Sequence, residues 1–235
     1  MKAPNLIHHP RSAGLTRTEL LCLVFILVVL AGFCPCTFSR AGKKGLMVDS
    51  LNNAKQIGTA LMMFSGDHDG RFPFARLDGT APGPGDSSNR ALENLMPKYS
   101  STKLIFSNKA SAWCRNPVAN TTADSHILRR GQNDWNYVVG LTEKSDPRWP
   151  LMATATTSAT DLTYTDDKTA KGGVWDGTDA VIVYADGRAR MERCDGSANV
   201  AAKTKTFPKR PDTGASIFTA TPEWLGVGRV ILAPE

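Results

Sequence analysis

Residues 14–38 read GLTRTELLCLVFILVVLAGFCPCTF, and the fold depends on this stretch more than on any other. An uncharged run begins at Leu20, and a single carboxylate, Glu19, stands directly before it. The run predicts a helix over residues 15–38, about 36 Å long, which can cross a hydrocarbon core of about 30 Å. Because an ionised carboxylate costs roughly 2.5–3.5 kcal/mol inside a membrane, Glu19 indicates a partner charge or a processing enzyme that recognises it.

The residues before this run have the general shape of an export leader. Residues 1–14 are polar, carry Lys2 and Arg11, and contain no acid. Basic residues also follow the run, so the positive-inside rule leaves the orientation open. Those that follow it are Arg40, Lys43 and Lys44.

The whole chain of 235 residues leaves room for one globular domain after the apolar segment. The net charge of +6 is scattered, without a basic stripe or interleaved aromatic residues, so we expect no nucleic-acid partner. Of the five cysteines, Cys114 and Cys194 fall in the predicted soluble part. They could form a disulfide if that part is extracytoplasmic, or they could be two unrelated free thiols.

The stretch GLTRTELL at residues 14–21 resembles the cleavage and methylation motif of type IV pilins and type II secretion pseudopilins. The resemblance implies that a prepilin peptidase cuts between Gly14 and Leu15, that Leu15 is then N-methylated, and that Glu19 is the family's acid. In a filament of that family, the carboxylate would face the positive amino terminus of a neighbouring subunit. Leu15 stands where Phe is usual, and Arg17 where an apolar residue is common.

Two other interpretations of this segment remain open. Glu19 could simply lie at the lipid headgroup level. The stretch LAGFC, which ends at Cys34, nearly matches a lipoprotein signal, but Phe33 intrudes between the small residue and the cysteine. A methylated Leu15 or an acylated Cys34 at the mature amino terminus would distinguish these alternatives.

Residues 39–65 continue a helical apolar pattern, which predicts an amphipathic stalk. The stretch NNAKQIGTAL at residues 52–61 and the stretch DHDGRFP at residues 67–73 resemble a pseudopilin-like group with many paralogues per genome. The stretch GDHDG at residues 66–70 predicts a helix-ending turn. It lacks the further acids of an EF-hand loop, so we do not expect calcium there.

The rest of the soluble part predicts a loop-rich domain with a small sheet. The clearest element is a hairpin over residues 180–192, with Asp186 and Gly187 in its turn. It resembles the group's terminal signature of His, nine residues and Asp-Gly, although Asp176 and Arg188 replace the usual histidines. The other expected elements are a loop at 75–91, a short helix at 91–99, strands at 103–106 and 136–141, an exposed loop at 153–173, and one or two strands within 217–232.

Catalysis is not indicated by any motif in the chain. There is no nucleophile elbow, phosphate loop, dinucleotide fingerprint or HExxH pair. We expect the side chains of His68 and His126 to be solvated, and His8 and His9 to leave with the leader. No cofactor is expected, although some major pseudopilins hold calcium in a late loop, and the acid-rich loop at 161–179 could do the same.

The sequence therefore predicts an α+β, pilin-like fold in which a long amino-terminal helix packs on a small antiparallel sheet. The predicted segments are a leader at 1–14, a transmembrane helix at 15–38, a stalk at 39–65 and an extracytoplasmic domain at 66–235. The expected function is that of a structural pseudopilin-like subunit in the inner (cytoplasmic) membrane, not an enzyme. Its expected partners are the prepilin peptidase, other pilin-like subunits and the lipid bilayer. The alternative is a membrane-anchored binding module that does not polymerise.

Overall fold

The computed structural model describes most of the chain, in seven ranges. The chain separates into two compact units, residues 1–44 and residues 45–235. The first unit contains helix α1, Arg17–Phe33; helix α2, Pro35–Asp67, has residues in both units. The described ranges are 16–33, 35–75, 86–114, 126–158, 162–194, 204–206 and 230–235.

The predicted long helix is therefore divided, since α1 ends at Phe33 and α2 begins at Pro35. A proline is well suited to the first position of a helix, because its missing N–H would have no intrahelical acceptor there. Among the helices that the structure describes, none is both long enough and apolar enough to cross a bilayer.

Helix α2 ends at Asp67, inside the predicted turn. The backbone N–H groups of His68 and Gly70 both donate to the carbonyl of Ser65, at 3.1 and 2.8 Å. Asp69 and Gly70 take the left-handed conformation, with φ of 54° and 75°, which Asp tolerates better than most residues and Gly adopts without a steric penalty. The acid-and-glycine turn thus satisfies the Ser65 carbonyl in the last turn of the helix.

The second unit is α+β. A five-stranded antiparallel sheet has the order β5-β4-β2-β1-β7, and a separate antiparallel pair joins β3 to β6. A short helix, α3, covers Ser88–Glu93. The strands are β1, Trp135–Val139; β2, Pro150–Thr154; β3, Thr163–Thr165; β4, Asp179–Tyr184; β5, Ala189–Arg193; β6, Thr204–Thr206; and β7, Val230–Leu232.

Helix α2 packs its apolar face on the hairpin of β4 and β5. Ile57 and Leu61 are fully buried, one helical turn apart. Gly58 lies between them, and a Cβ added there would come within 2.5 Å of the carbonyl oxygen of Gly187 and 3.2 Å of Val183 Cγ1. The helix backbone and the hairpin turn are therefore in close contact, which only a residue without a side chain allows.

Two predictions about local structure were wrong. Residues 103–106 form a 3₁₀ turn rather than a strand, because the hydroxyl of Thr102 accepts a hydrogen bond from Leu104 N at 3.2 Å and caps the turn. The stretch 153–173 is not simply an exposed loop, because β2 runs to Thr154, β3 lies within it, and Leu162 and Tyr164 are buried. Thr- and Ala-rich sequence looks like a loop in composition, but these small and β-branched residues also fit a closely packed sheet.

The remaining predicted elements differ mainly in their bounds. The expected helix at 91–99 is α3, which begins earlier and ends at Glu93, followed by turns in which Met96 N donates to Glu93 O at 2.9 Å. The strand expected at 136–141 is β1, which ends before Gly140 with its φ of 91°. Of the loop expected at 75–91, residues 76–85 lie outside the described residues. The last expected strand contains β7, and residues 217–229 also lie outside them.

Candidate functional site

The predicted processing site lies only partly within the described chain. Gly14, Leu15 and the whole leader fall outside the described residues, as does Cys34, the alternative lipidation site. Glu19 is described, and it lies exposed in the first turn of α1. Cleavage and methylation therefore stay predictions, whereas the surroundings of the acid can be examined.

Glu19 and Thr16 form a reciprocal cap at the start of α1. The carboxylate accepts hydrogen bonds from the backbone N–H and the hydroxyl of Thr16, both at 2.9 Å. In return, the hydroxyl oxygen of Thr16 accepts from Glu19 N at 3.3 Å. This is a capping box, and its signature of Thr, two residues and Glu was readable in the sequence, although it was not used in the prediction. Glu19 thus has partners within its own chain.

The side chains that follow Glu19 are apolar and exposed on all sides of α1. Nine large apolar residues between Leu20 and Val29 retain from 40% to 69% of their accessible surface. A helix of a soluble domain normally exposes only its polar face, so a helix that is apolar all round belongs in a protein core or a membrane.

The predicted hairpin turn is tied to its own strands and to α2. Gly187 N donates to Tyr184 O at 2.9 Å, and Gly187 has a φ of +80°. Asp186 Oδ1 accepts from Arg188 N at 3.1 Å, and the guanidinium of Arg188 pairs with the same carboxylate. A Cβ at Gly187 would come within 2.7 Å of Met62 Cγ on α2. Two stretches that carry the family resemblance therefore meet at one helix–turn contact.

The turn after α2 carries an aromatic and ionic cluster. The ring of His68 stacks on Phe64, with centroids 3.8 Å apart, and its Nδ1 lies 2.8 Å from Phe64 O. Asp67 accepts hydrogen bonds from Lys98 at 2.7 Å and from the hydroxyl of Tyr99 at 2.8 Å. These two partners hold the pKa of the Asp67 carboxyl below its usual range. The acid joins the helix end to the turns that follow α3.

The two cysteines considered for a disulfide are both buried, and Cys114 is a free thiol in this structure. Burial raises the pKa of Cys114 to about 12, with a smaller contribution from Asp134. A thiol with so high a pKa is almost entirely protonated at neutral pH and is therefore a poor nucleophile. The disulfide between Cys114 and Cys194 stays a prediction.

The acids of the loop considered for calcium bind neighbouring groups. Asp167 Oδ1 accepts from the backbone N–H and hydroxyl of Thr169, at 2.9 and 2.7 Å, and Lys168 pairs with Asp176 at 3.1 Å. Asp161 lies outside the described residues. Across the described ranges, no cluster of three or more His, Cys, Asp or Glu side chains is arranged to hold a metal ion.

Sequence reasoning missed a buried polar group at the start of β1. Asn133 and Asp134 are both inaccessible to solvent. Asn133 Nδ2 donates to Ser88 Oγ and Asn89 Oδ1, at 2.9 and 3.0 Å, so its amide is well partnered. Neither carboxylate oxygen of Asp134 has a hydrogen-bond partner in the structure. The signal was the polar stretch NDWN, which leads directly into the buried run of β1.

Burial raises the pKa of Asp134 to about 8, against an ordinary value of 3.8. The neighbouring Asn108 amide and Lys171 ammonium favour the charged form, but burial has the larger effect. The Nδ2 atom of Asn108 is itself buried without a hydrogen-bond partner, so this amide influences the acid without a well-formed hydrogen bond to it. Asp134 is therefore a neutral acid over most of the physiological pH range.

Comparisons with protein-family models, with curated proteins and with solved structures found no match. A functional interpretation must therefore come from the residues themselves. The two features that stand out are the exposed apolar helix with its capped acid and the buried acid at the start of β1.

Proposed function

We propose that the chain is a structural, pilin-like subunit of a type II secretion or type IV pilus-like envelope assembly. The observation that supports this most directly is the exposed apolar surface of α1. Nine large apolar side chains exposed to water would make an isolated chain aggregate, so a lipid bilayer or the helices of other subunits must cover them. The resemblance of residues 14–19 to the pilin cleavage motif favours a pilin-like assembly as the place where this helix packs.

In this proposal the amino-terminal helix has two environments in succession. It anchors the newly made chain as a single-pass protein of the inner (cytoplasmic) membrane, with the carboxy-terminal domain outside. After the prepilin peptidase cuts behind Gly14, the same apolar surface packs against other subunits. Glu19 would then give up or share its hydrogen bonds from Thr16 and pair with the terminal amine of a neighbour, because two opposite full charges in a poorly solvated place attract more strongly than a carboxylate and an uncharged donor.

Processing is tested with a variant at the cleavage site. Gly14→Trp should leave an uncut precursor of higher mass in the membrane fraction. Gly42→Trp is the matched control, because a Cβ at Gly42 meets no atom within 4 Å, and we expect it to be processed normally. An unchanged mature mass for Gly14→Trp would reject cleavage at this position.

One observation favours the second candidate, an anchored binding module that does not polymerise. The capping box already supplies the Glu19 carboxylate with two donors, so a neighbouring subunit is not needed to stabilise it. Under this alternative, Glu19 only begins the helix, and the soluble domain binds a polysaccharide or protein at the cell surface.

The two candidates differ in what Glu19→Ala does to subunit contacts. If the chain is an assembling subunit, Glu19→Ala abolishes cross-linked oligomers while membrane insertion is retained. Thr16→Val is the control, since it removes the two hydrogen bonds of the Thr16 hydroxyl but keeps the Glu19 carboxylate, and it should still cross-link. Absence of oligomers in the wild type and both variants would favour the binding module.

A further inference from the structure

The buried carboxylate of Asp134 is placed where three parts of the second unit meet. Its backbone N–H donates to Phe106 O at 2.9 Å, and its carbonyl accepts from Ala155 N at 2.8 Å. The side chain has no hydrogen-bond partner, although a buried polar group without one is rare in native proteins and costly to keep. Such a group marks either a bound proton or a partner that arrives in another state of the protein.

Among the residues that the structure describes, the cation that acts on Asp134 is Lys171. Its ammonium favours the charged form of Asp134. Burial lowers the pKa of the Lys171 amine below its usual value and the charge of Arg130 adds to this, whereas Asp134 and Glu235 favour the charged amine. The other titratable groups that feel Asp134 are the neutral side chains of Cys114 and Tyr164.

Lys171 at present bonds the carboxy-terminal segment and not the acid. Its Nζ donates to the carbonyl of Pro234 and lies 5.1 Å from the ring centre of Trp113. Pro234 follows β7, the short edge strand that pairs with β1. The same segment is also held by Ser88 N on Ala233 O at 3.0 Å and by Gly131 N on Glu235 O at 2.7 Å. Three donors thus fix the edge strand, and only the lysine has a long mobile stem.

We propose that Asp134, Lys171 and Pro234 form a proton-operated latch on the β7 edge of the sheet. While Asp134 keeps its proton, Lys171 holds the Pro234 carbonyl and β7 stays paired with β1. When Asp134 ionises, the ammonium moves to the buried carboxylate, because two opposite full charges in a poorly solvated place attract more strongly than an ammonium and a carbonyl dipole. The segment 230–235 then loses a donor and separates more often from β1, whose edge becomes open to another strand.

The direction in which pH changes the latch follows from the neutral state of Asp134 at low pH. Below the folded pKa of Asp134, about 8, the latch is closed, and it opens as pH rises through that value. This behaviour does not depend on the proposed function, since it involves only groups within the second unit.

Hydrogen–deuterium exchange of the full-length chain tests the latch. Exchange of a peptide covering residues 230–235 is measured at about pH 6 and about pH 9 and corrected for the intrinsic effect of pH. In the wild type we expect protection to fall about tenfold at the higher pH. Asp134→Asn, which cannot ionise, should show nearly the same protection at both.

Two lysine variants separate the latch from a general effect of pH. Lys171→Met should leave the segment poorly protected at both pH values, because its donor is gone, and it keeps the test independent of whether Asp134→Asn folds. Lys168→Met, in the same loop and with its lysine 69% exposed, is the matched control and should behave as the wild type does. The latch is overturned if the wild type is equally protected at both pH values, if Asp134→Asn opens as the wild type does, or if Lys171→Met matches Lys168→Met.

Discussion

Helices α1 and α2 differ in how far their large apolar side chains are exposed. In α1, large apolar side chains lie on all sides and are exposed, and the one acid is capped by its own chain. In α2, Ile57 and Leu61 are fully buried against the sheet, although Val48 and Met63 on the same helix are exposed. The second helix is therefore stabilised by its buried face within the second unit, whereas the apolar surface of the first requires a cover of its own.

The two acids differ in the same way. Glu19 is exposed to solvent and hydrogen-bonded, so ionisation fits its surroundings. Asp134 is buried and unbonded, so ionisation does not. The second unit is thus the region whose stability should respond to its acid.

The largest expected effect is on the pH dependence of folding. Because the pKa of Asp134 is raised to about 8 in the folded state from 3.8, its contribution is fully present below the ordinary value and is lost as pH rises toward 8. The slope is about 1.4 kcal/mol for each pH unit at most. Urea unfolding of the second unit, measured between those limits, should show this fall in the wild type and not in Asp134→Asn.

Glu19→Gln is the control for that measurement. Its carboxylate is solvent-exposed, so the pH slope of the second unit should be unchanged by the substitution. A wild-type protein whose stability rises over the same pH interval would show that Asp134 is ionised and partnered in the folded state.

The next effect concerns equal truncations in the two helices. Leu61→Ala removes a fully buried side chain and should lower the free energy of unfolding by about 2–5 kcal/mol. Leu27→Ala, at a side chain that is 55% exposed, should leave the thermal midpoint of the second unit unchanged. Calorimetry of both variants in one detergent measures the two effects. An equal loss of thermal stability in both variants would contradict this difference between the helices.

The smallest effect distinguishes two glycines of α2. A Cβ at Gly58 would meet the Gly187 carbonyl at 2.5 Å, so Gly58→Ala must displace the hairpin turn and should cost about 1–3 kcal/mol. A Cβ at Gly45 meets nothing within 4 Å, so Gly45→Ala should stabilise the helix by up to about 1 kcal/mol. Chemical denaturation measures both, and a neutral Gly58→Ala would refute the close helix–turn contact.

Sequence reasoning predicted well the elements with strong local signals. The α+β class, the turn after α2 and the hairpin of β4 and β5 all follow from short patterns, since Asp-Gly turns and apolar periodicity act over a few residues. The contact between Gly58 and Gly187 could not be predicted in this way, because it joins residues far apart in the chain. In the sequence, its two glycines belong to two separate stretches, and nothing in either stretch indicates that they meet.

The errors had a physical cause as well. Residues 103–106 are apolar enough for a strand, but a single threonine hydroxyl cap decides for a 3₁₀ turn. The unpartnered carboxylate of Asp134 could not be predicted, because its burial depends on the 3₁₀ turn at 103–106, on strands and on loops that come together only in the folded chain. The capping box of Thr16 and Glu19 could have been predicted, since its spacing is visible in the sequence.

The exposed apolar helix and the cleavage motif support the proposal that the mature protein begins at Leu15 and joins other subunits through α1. The intact mass of the protein purified from its native membrane is the decisive measurement. We expect a chain that lacks residues 1–14 and carries a methyl group on the Leu15 amine. A native protein that retains Met1, or one that begins at an acylated Cys34, would contradict it.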